Sequence, residues 1–222
     1  VNRTRVYAAG SGLAVPEQPE APARGVCGPH RAAVVRDLRG GAGRGPHGLR
    51  FGARDLVVVT GLPGSGKSTL MRRAVTGARV DSQDTRDRWD RRMAPLLPYA
   101  VYRPLVRLAH YAGLRRTLRG AGGVVVHDCG TQAWVRRWLA REAGRRGGVL
   151  HLLVLDVGPD TALDGQRRRG RGVSRYAFAR HRGAVDRLLR SVERGDPPAG
   201  CGSVVLLDRR SADVLRSIDF GH

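Results

Sequence analysis

The sequence predicts an α/β fold in which a parallel sheet lies between two layers of helices. Three observations lead there. From Asp55 onward, five short apolar runs alternate with stretches of helical pattern, the rhythm of βαβ units. The runs are near-continuously hydrophobic rather than alternating, as strands buried on both faces are. Each run ends in polar residues, so functional groups gather at the carboxyl edge of the sheet.

The strands are expected at Leu56–Thr60, Ala78–Val80, Val124–His127, Leu150–Leu155 and Ser203–Leu207. Helices are expected at 68–76, 85–93, 102–119, 133–143, 161–169, 175–192 and 212–218. Right-handed crossovers limit such a sheet to a few doubly wound orders. Residues 1–54 differ in character. Val15 to Gly28 is rich in Pro, Glu and Ala, and Gly40 to Gly52 is rich in Gly and Arg. One short helix, 30–39, is expected between them, with Ala33, Val34 and Leu38 inward. This segment reads as a loosely ordered arm, or as a cover for a ligand site. The catalytic domain is then expected at 55–222, one domain of a length that buries a real core.

Composition narrows the setting. No run of about 18 apolar residues is present, which argues against a membrane span. The N-terminus lacks a charged start followed by an apolar stretch, so no secretory leader is expected. Cys27, Cys129 and Cys201 are odd in number and far apart, which is neither a disulfide framework nor a zinc spacing. A cytoplasmic setting follows. The net charge of +21 points to an anionic partner, nucleic acid or a phosphorylated small molecule. A GC-rich coding bias explains Arg in place of Lys, though not the shortage of Asp and Glu.

Within that bias one position stands apart. Lys67 is the only lysine among 40 basic residues. It lies in Gly61-Leu62-Pro63-Gly64-Ser65-Gly66-Lys67-Ser68-Thr69, between the first strand and the first helix. A glycine-rich loop of this spacing wraps its N–H groups around phosphates, a slim ammonium reaches the β- and γ-phosphates, and the next hydroxyl holds Mg²⁺. A guanidinium is too wide and too planar for that place. The chain is therefore expected to bind a nucleoside triphosphate, ATP or GTP, with Mg²⁺.

The other constellations follow the later strands. Asp81, Asp84 and Arg86 follow the second. Transfer of a phosphoryl group to an alcohol needs a carboxylate beside the acceptor oxygen. Asp84 is the first candidate, Asp81 the second, and Arg86 would bind the acceptor's charge or the γ-phosphate. Helix capping by Ser82 or Asp84 is the plainer reading. Asp128 ends the third strand and serves either a magnesium site or the cap of the next helix. His127 before it is expected to be structural. The elbow Gln166-Arg167-Arg168-Arg169-Gly170-Arg171 has the glycine and arginine of a lid near 165–175, with Arg169 and Arg171 clamping phosphate; a solvated arginine turn is the alternative. Trp89, Tyr99, Tyr102, His110 and Tyr111 form either an acceptor pocket or core. Asp208, Arg209 and Arg210 border an adenine or make a simple turn.

Taken in order, GLPGSGKST, DSQDTR, VVVHDCGT and ALDGQRRRGR resemble the small P-loop kinases. The resemblance is greatest to the branch with polynucleotide 5′-kinases, zeta-toxin-like kinases and gluconate-kinase-like enzymes, for which an AAA-type ATPase description is used. It covers 55 to about 210. It implies the three-layer P-loop NTPase fold, a five-stranded parallel sheet of order 2-3-1-4-5, and Mg²⁺-dependent transfer of the γ-phosphate of ATP or GTP to an alcohol. By the same resemblance Gly61 to Thr69 hold the nucleotide, with Lys67 catalytic. Ser68 and Asp128 serve the metal, Asp84 and Arg86 the acceptor side, and Arg169 and Arg171 the lid, while Thr131 and Arg136 match neighbouring positions. Two departures stand out: Gln83-Asp84 where many polynucleotide kinases have paired aspartates, and Gly165 before Gln166 where an arginine is common. Three functions stay open: a kinase of a small-molecule or nucleotide-like hydroxyl, a polynucleotide 5′-hydroxyl kinase, and a nucleotide-binding regulatory module with little turnover.

Overall fold

The structure, a computed structural model, describes residues 33–41, 45–93, 99–120, 122–127, 133–168 and 173–221. The strands are β1 (Val34–Asp37), β2 (Gly48–Phe51), β3 (Leu56–Gly61), β4 (Ala78–Val80), β5 (Val124–His127), β6 (Leu150–Leu155), β7 (Cys201–Leu207) and β8 (Ser217–Phe220). The helices are α1 (Lys67–Ala74), α2 (Ser82–Met93), α3 (Tyr99–Leu118), α4 (Ala133–Arg145), α5 (Pro159–Arg167), α6 (Arg175–Glu193) and α7 (Arg209–Val214). The main sheet runs β1-β7-β6-β3-β5-β4 with every pairing parallel. The five expected strands stand in the expected order, and this is a P-loop NTPase fold.

Strand β3 lies at the centre and all six of its residues are buried. Its side chains divide between two cores, as the alternation of a strand requires. Leu56 and Val58 pack with Leu114, Leu139 and Leu189 of α3, α4 and α6. Val57 and Val59 pack with Leu70 and Met71 of α1 and Ala212 of α7 on the other face. Helix α2 packs on α3. No helix among the described residues is long and apolar enough to cross a membrane.

Two expectations need correction. Val34–Asp37, expected in a helix, is a strand added to the sheet beside β7. The parallel ladder satisfies its backbone groups, and Val34 and Val35 are β-branched residues that suit an edge strand. The sheet therefore has six strands among the described residues, and the arm is not loose throughout. The helix expected over 212–218 is α7, which stops at Val214. Leu215 is extended, and the next residues form β8, which pairs in parallel with β2. Ile218 is buried and Phe220 half-buried, the period-two pattern of a strand. Both small strands close the amino-terminal edge of the core on the α1 side.

Candidate functional site

The glycine-rich loop joins the centre of the sheet to α1. Gly64 and Gly66 have φ of +89° and +100°, where a side chain would be strained. A Cβ at Gly64 would also run into the Ala162 carbonyl of α5. Gly66 is the N-cap of α1. It brings no side-chain cap, and the first turn carries no acidic residue. A helix start of this kind favours an anion through its first-turn N–H groups and the helix dipole.

Lys67 is buried, and its Nζ donates to the carbonyls of Gly61 at 2.9 Å and Leu62 at 2.7 Å. Ser65 and Ser68 are buried beside it. The Ser65 hydroxyl is enclosed with no hydrogen-bond partner among the described residues, an unusual condition for a buried polar atom. Such a loop fits a triphosphate and its metal: a helix start without a side-chain cap, an ammonium, an orphaned hydroxyl, and a second hydroxyl at the start of the helix.

Helix α5 holds the loop from above. Gly165 meets Gly64, and a Cβ on Gly165 would collide with the Gly64 carbonyl oxygen. Gln166 is buried; its Nε2 donates to the Pro63 carbonyl at 3.0 Å, and its Oε1 accepts from the Val173 N–H at 2.9 Å. This explains the Gly165-Gln166 departure, because a larger residue at 165 would push α5 off the loop. Gly165→Ala is expected to cost about 1–3 kcal/mol in urea unfolding, as overpacking does. An unchanged midpoint would contradict this packing.

On the acceptor side the two carboxylates differ. Asp81 is buried, with Oδ1 2.5 Å from Nδ1 of His127, and Ser82 Oγ lies 3.1 Å from the same nitrogen. His127 thus ties the end of β5 to the end of β4. His110 of α3 is buried nearby, and its proton affinity falls, first through burial and then through the neighbouring His127. Asp84 stands exposed in the first turn of α2. Arg86 pairs with Asp90 one turn on at 3.4 Å. Tyr102 is buried and donates to Asp90 at 2.8 Å, while Tyr111 packs against the rings of His110, Trp134 and Trp138. These aromatic residues therefore belong to the packing. Asp128, Thr131, Arg169 and Arg171 lie outside the described residues.

Beside the loop, at the carboxyl ends of β6 and β7, opens a cleft of about 420 Å³. Gly40, Asp156, Thr161, Asp208, Arg209 and Arg210 line it. Arg209 reaches the phosphate loop: its Nη1 is 3.3 Å from where a Cβ on Gly66 would stand. Asp208 caps α7 by accepting from the Ser211 N–H, and its other oxygen accepts from the Gly40 N–H, both at 2.8 Å. Burial would raise the proton affinity of this carboxyl; these N–H donors outweigh burial and lower it. Sequence reasoning missed Gly40 and Gln166 as site residues. Only the glycine–arginine bias around residue 40 and the unusual Gly165-Gln166 pair hinted at them.

The AAA domain family matches residues 56–194, well over half of the chain. The chain belongs to the AAA domain family. The match begins at β3 and ends just after α6, so it takes in the phosphate loop, α2, α3 and α5 of this AAA domain. No curated protein matches the chain. Among solved structures, this AAA domain is similar to a tunicamycin resistance protein of Deinococcus radiodurans, with 15% identity and a TM-score of 0.38 over 61% of this chain and 80% of that one. A protein of Chloroflexus aurantiacus provisionally described as a kinase gives 15% identity and a TM-score of 0.48 over 72% of this chain and 87% of that one. A gluconokinase of Sinorhizobium meliloti gives 17% identity and a TM-score of 0.41 over 73% of this chain and 92% of that one.

Proposed function

We propose that the chain is a cytoplasmic, Mg²⁺-dependent kinase that transfers the γ-phosphate of ATP or GTP to a hydroxyl of a small-molecule or nucleotide-like acceptor. The observation that carries this reading is the buried Lys67 in an open glycine loop, with a cleft beside it for the base and an exposed carboxylate on the opposite side for the acceptor. The acceptor oxygen attacks the γ-phosphorus. The bond to the β,γ-bridging oxygen breaks, the nucleoside diphosphate leaves, and Asp84 takes the hydroxyl proton. Asp81, held by His127, positions the start of α2. The hydroxyl of Ser68, with Asp128, would hold the magnesium ion, which supplies charge neutralisation to the phosphates when bound. Lys67 and the loop N–H groups stabilise charge on the transferred group. Arg169 and Arg171, in a lid near 165–175, exclude water.

A screen of labelled γ-phosphate transfer against sugars, nucleosides, antibiotics and oligonucleotides tests the reading. Nucleotide binding without product on any acceptor would leave a regulatory module in its place. The net charge of +21 keeps an oligonucleotide 5′-hydroxyl among the acceptors, and turnover on it would fall steeply with salt. With the acceptor that the screen finds, Asp84→Asn is expected to lower kcat about a hundredfold or more. Asp81→Asn should instead act mainly through stability, read by thermal unfolding. Wild-type kcat in Asp84→Asn removes Asp84 as the base.

A further inference from the structure

The family match leaves out residues 33–41, yet this segment closes one side of the cleft. After β1 the Leu38 N–H donates to the Leu206 carbonyl at 3.0 Å, and the Gly40 N–H donates to Asp208 at 2.8 Å. Between them Arg39 gathers three carboxylates. Its guanidinium reaches Asp37 at 2.8 Å, Asp156 at 2.6 Å and Glu193 at 2.9 Å. Asp156 stands at the end of β6, Glu193 at the end of α6, and Asp37 at the end of β1 itself. One side chain therefore binds the strap to two elements of the family core.

The rest of the strap is held at the margin of the sheet. Strand β1 is four residues long, on the sheet edge, and Val34 is largely exposed. Its attachment comes from a short backbone ladder, from the Gly40 N–H bond to Asp208, from Val35 and Leu38 packed against the two cores, and from Arg39. Without the guanidinium the strap loses its side-chain ties to Asp156 and Glu193, and the like charges gathered there repel more strongly. Arg39 is only about one-fifth exposed (22%), so solvent screens these pairs less than surface ones.

We propose that β1 and the turn after it form a wall of the base side of the nucleotide site, and that Arg39 is the positioning residue that sets this wall. The inference rests on the nucleotide reading above. With the triphosphate tail in the glycine loop, the adjoining cleft takes the base and sugar. Arg209 stands where the two regions meet, and Gly40 lies on the strap side. Arg39 touches no ligand; it acts by holding Gly40 and Asp156 in place before binding, so that binding does not have to order them.

Calorimetry with magnesium tests this with two probes: ATP or GTP, whichever the wild type binds more tightly, and inorganic tripolyphosphate, which fills the loop but has no base. Arg39→Ala is expected to weaken the nucleotide about tenfold, while tripolyphosphate stays within about twofold. Arg39→Lys should restore part of the loss, because an ammonium keeps the charge but not the fork. Glu193→Gln, which leaves the lining of the cleft intact, should weaken the nucleotide about threefold. Thermal unfolding of each variant reports folding. An unchanged nucleotide affinity in Arg39→Ala overturns the proposal, as does a parallel loss of both probes. Should Arg39→Ala fail to fold, Glu193→Gln decides, and unchanged nucleotide affinity there overturns it. A wild-type protein that binds neither probe overturns the nucleotide reading itself, a result distinct from failure of the strap alone.

Discussion

Lys67→Ala is expected to lower phosphoryl transfer on the order of a thousandfold, about 4 kcal/mol of lost transition-state stabilisation. The ammonium is the charge at the heart of the loop, and it is buried there. Charge in a water-excluded site acts far more strongly than on a surface. The same Nζ bridges the Gly61 and Leu62 carbonyls, so its loss also loosens the first turn of the loop. That second effect is small, about 1–3 kcal/mol for hydrogen bonds to a charged group, and thermal unfolding separates it from catalysis. Lys67→Arg discriminates further. A guanidinium keeps the charge but is planar and wide, so transfer should stay close to the alanine level. Transfer near the wild-type rate in either variant, using the acceptor found by the screen, would remove the loop from the mechanism.

How much of this was readable in advance depended on how local each cause is. The strands β3, β5, β6 and β7 are runs of Val and Leu, buried on both faces, and such runs announce themselves. The phosphate loop is local too, because its function depends on nine consecutive residues. The sequence pattern assigns β1 and the first two residues of β8 to helices because their conformation comes from partners far along the chain: Val34 pairs with Ser203, and Ile218 with Leu49. Neither four-residue segment has a pattern strong enough to resist that pairing. The same distinction divides the site. Asp208 could be placed because it follows a strand. Gln166 and Arg39 could not, since their partners Pro63 and Asp156 are 103 and 117 residues away. Tyr102 and Tyr111 turned out to be packing residues because long helical crossovers need a core as well as a surface.

The largest stability effect is expected at Asp55, on the edge of the sheet opposite the site. This buried carboxylate accepts from the Gly52 N–H at 2.7 Å and the Val149 N–H at 2.8 Å, and its Oδ2 lies 2.9 Å from Nε2 of His151. Nδ1 of His151 in turn lies 2.8 Å from the Ser203 hydroxyl. One side chain thus joins the turn after β2, the start of β3, the start of β6 and β7. Asp55→Ala leaves two N–H groups and an imidazole without their acceptor, and removing one member of a buried pair costs about 3–5 kcal/mol. Chemical unfolding at neutral pH reads this directly. The pH dependence gives a second, independent reading. Burial by itself would raise the Asp55 carboxyl; the hydrogen bond to His151 and the backbone N–H groups outweigh it, so the folded value lies below 3.8. The unfolded chain therefore binds this proton more readily than the folded one, and the stability contributed by Asp55 is complete above the unfolded value. It is lost as pH falls through the folded value. The gap between wild type and Asp55→Ala should be constant from pH 7 down to about 5 and narrow below about 4. A gap that stayed constant to the lowest accessible pH would show that the cost is lost packing rather than lost charge. Because β3 carries the phosphate loop at its other end, loosening this anchor also releases the strand that sets the height of Lys67.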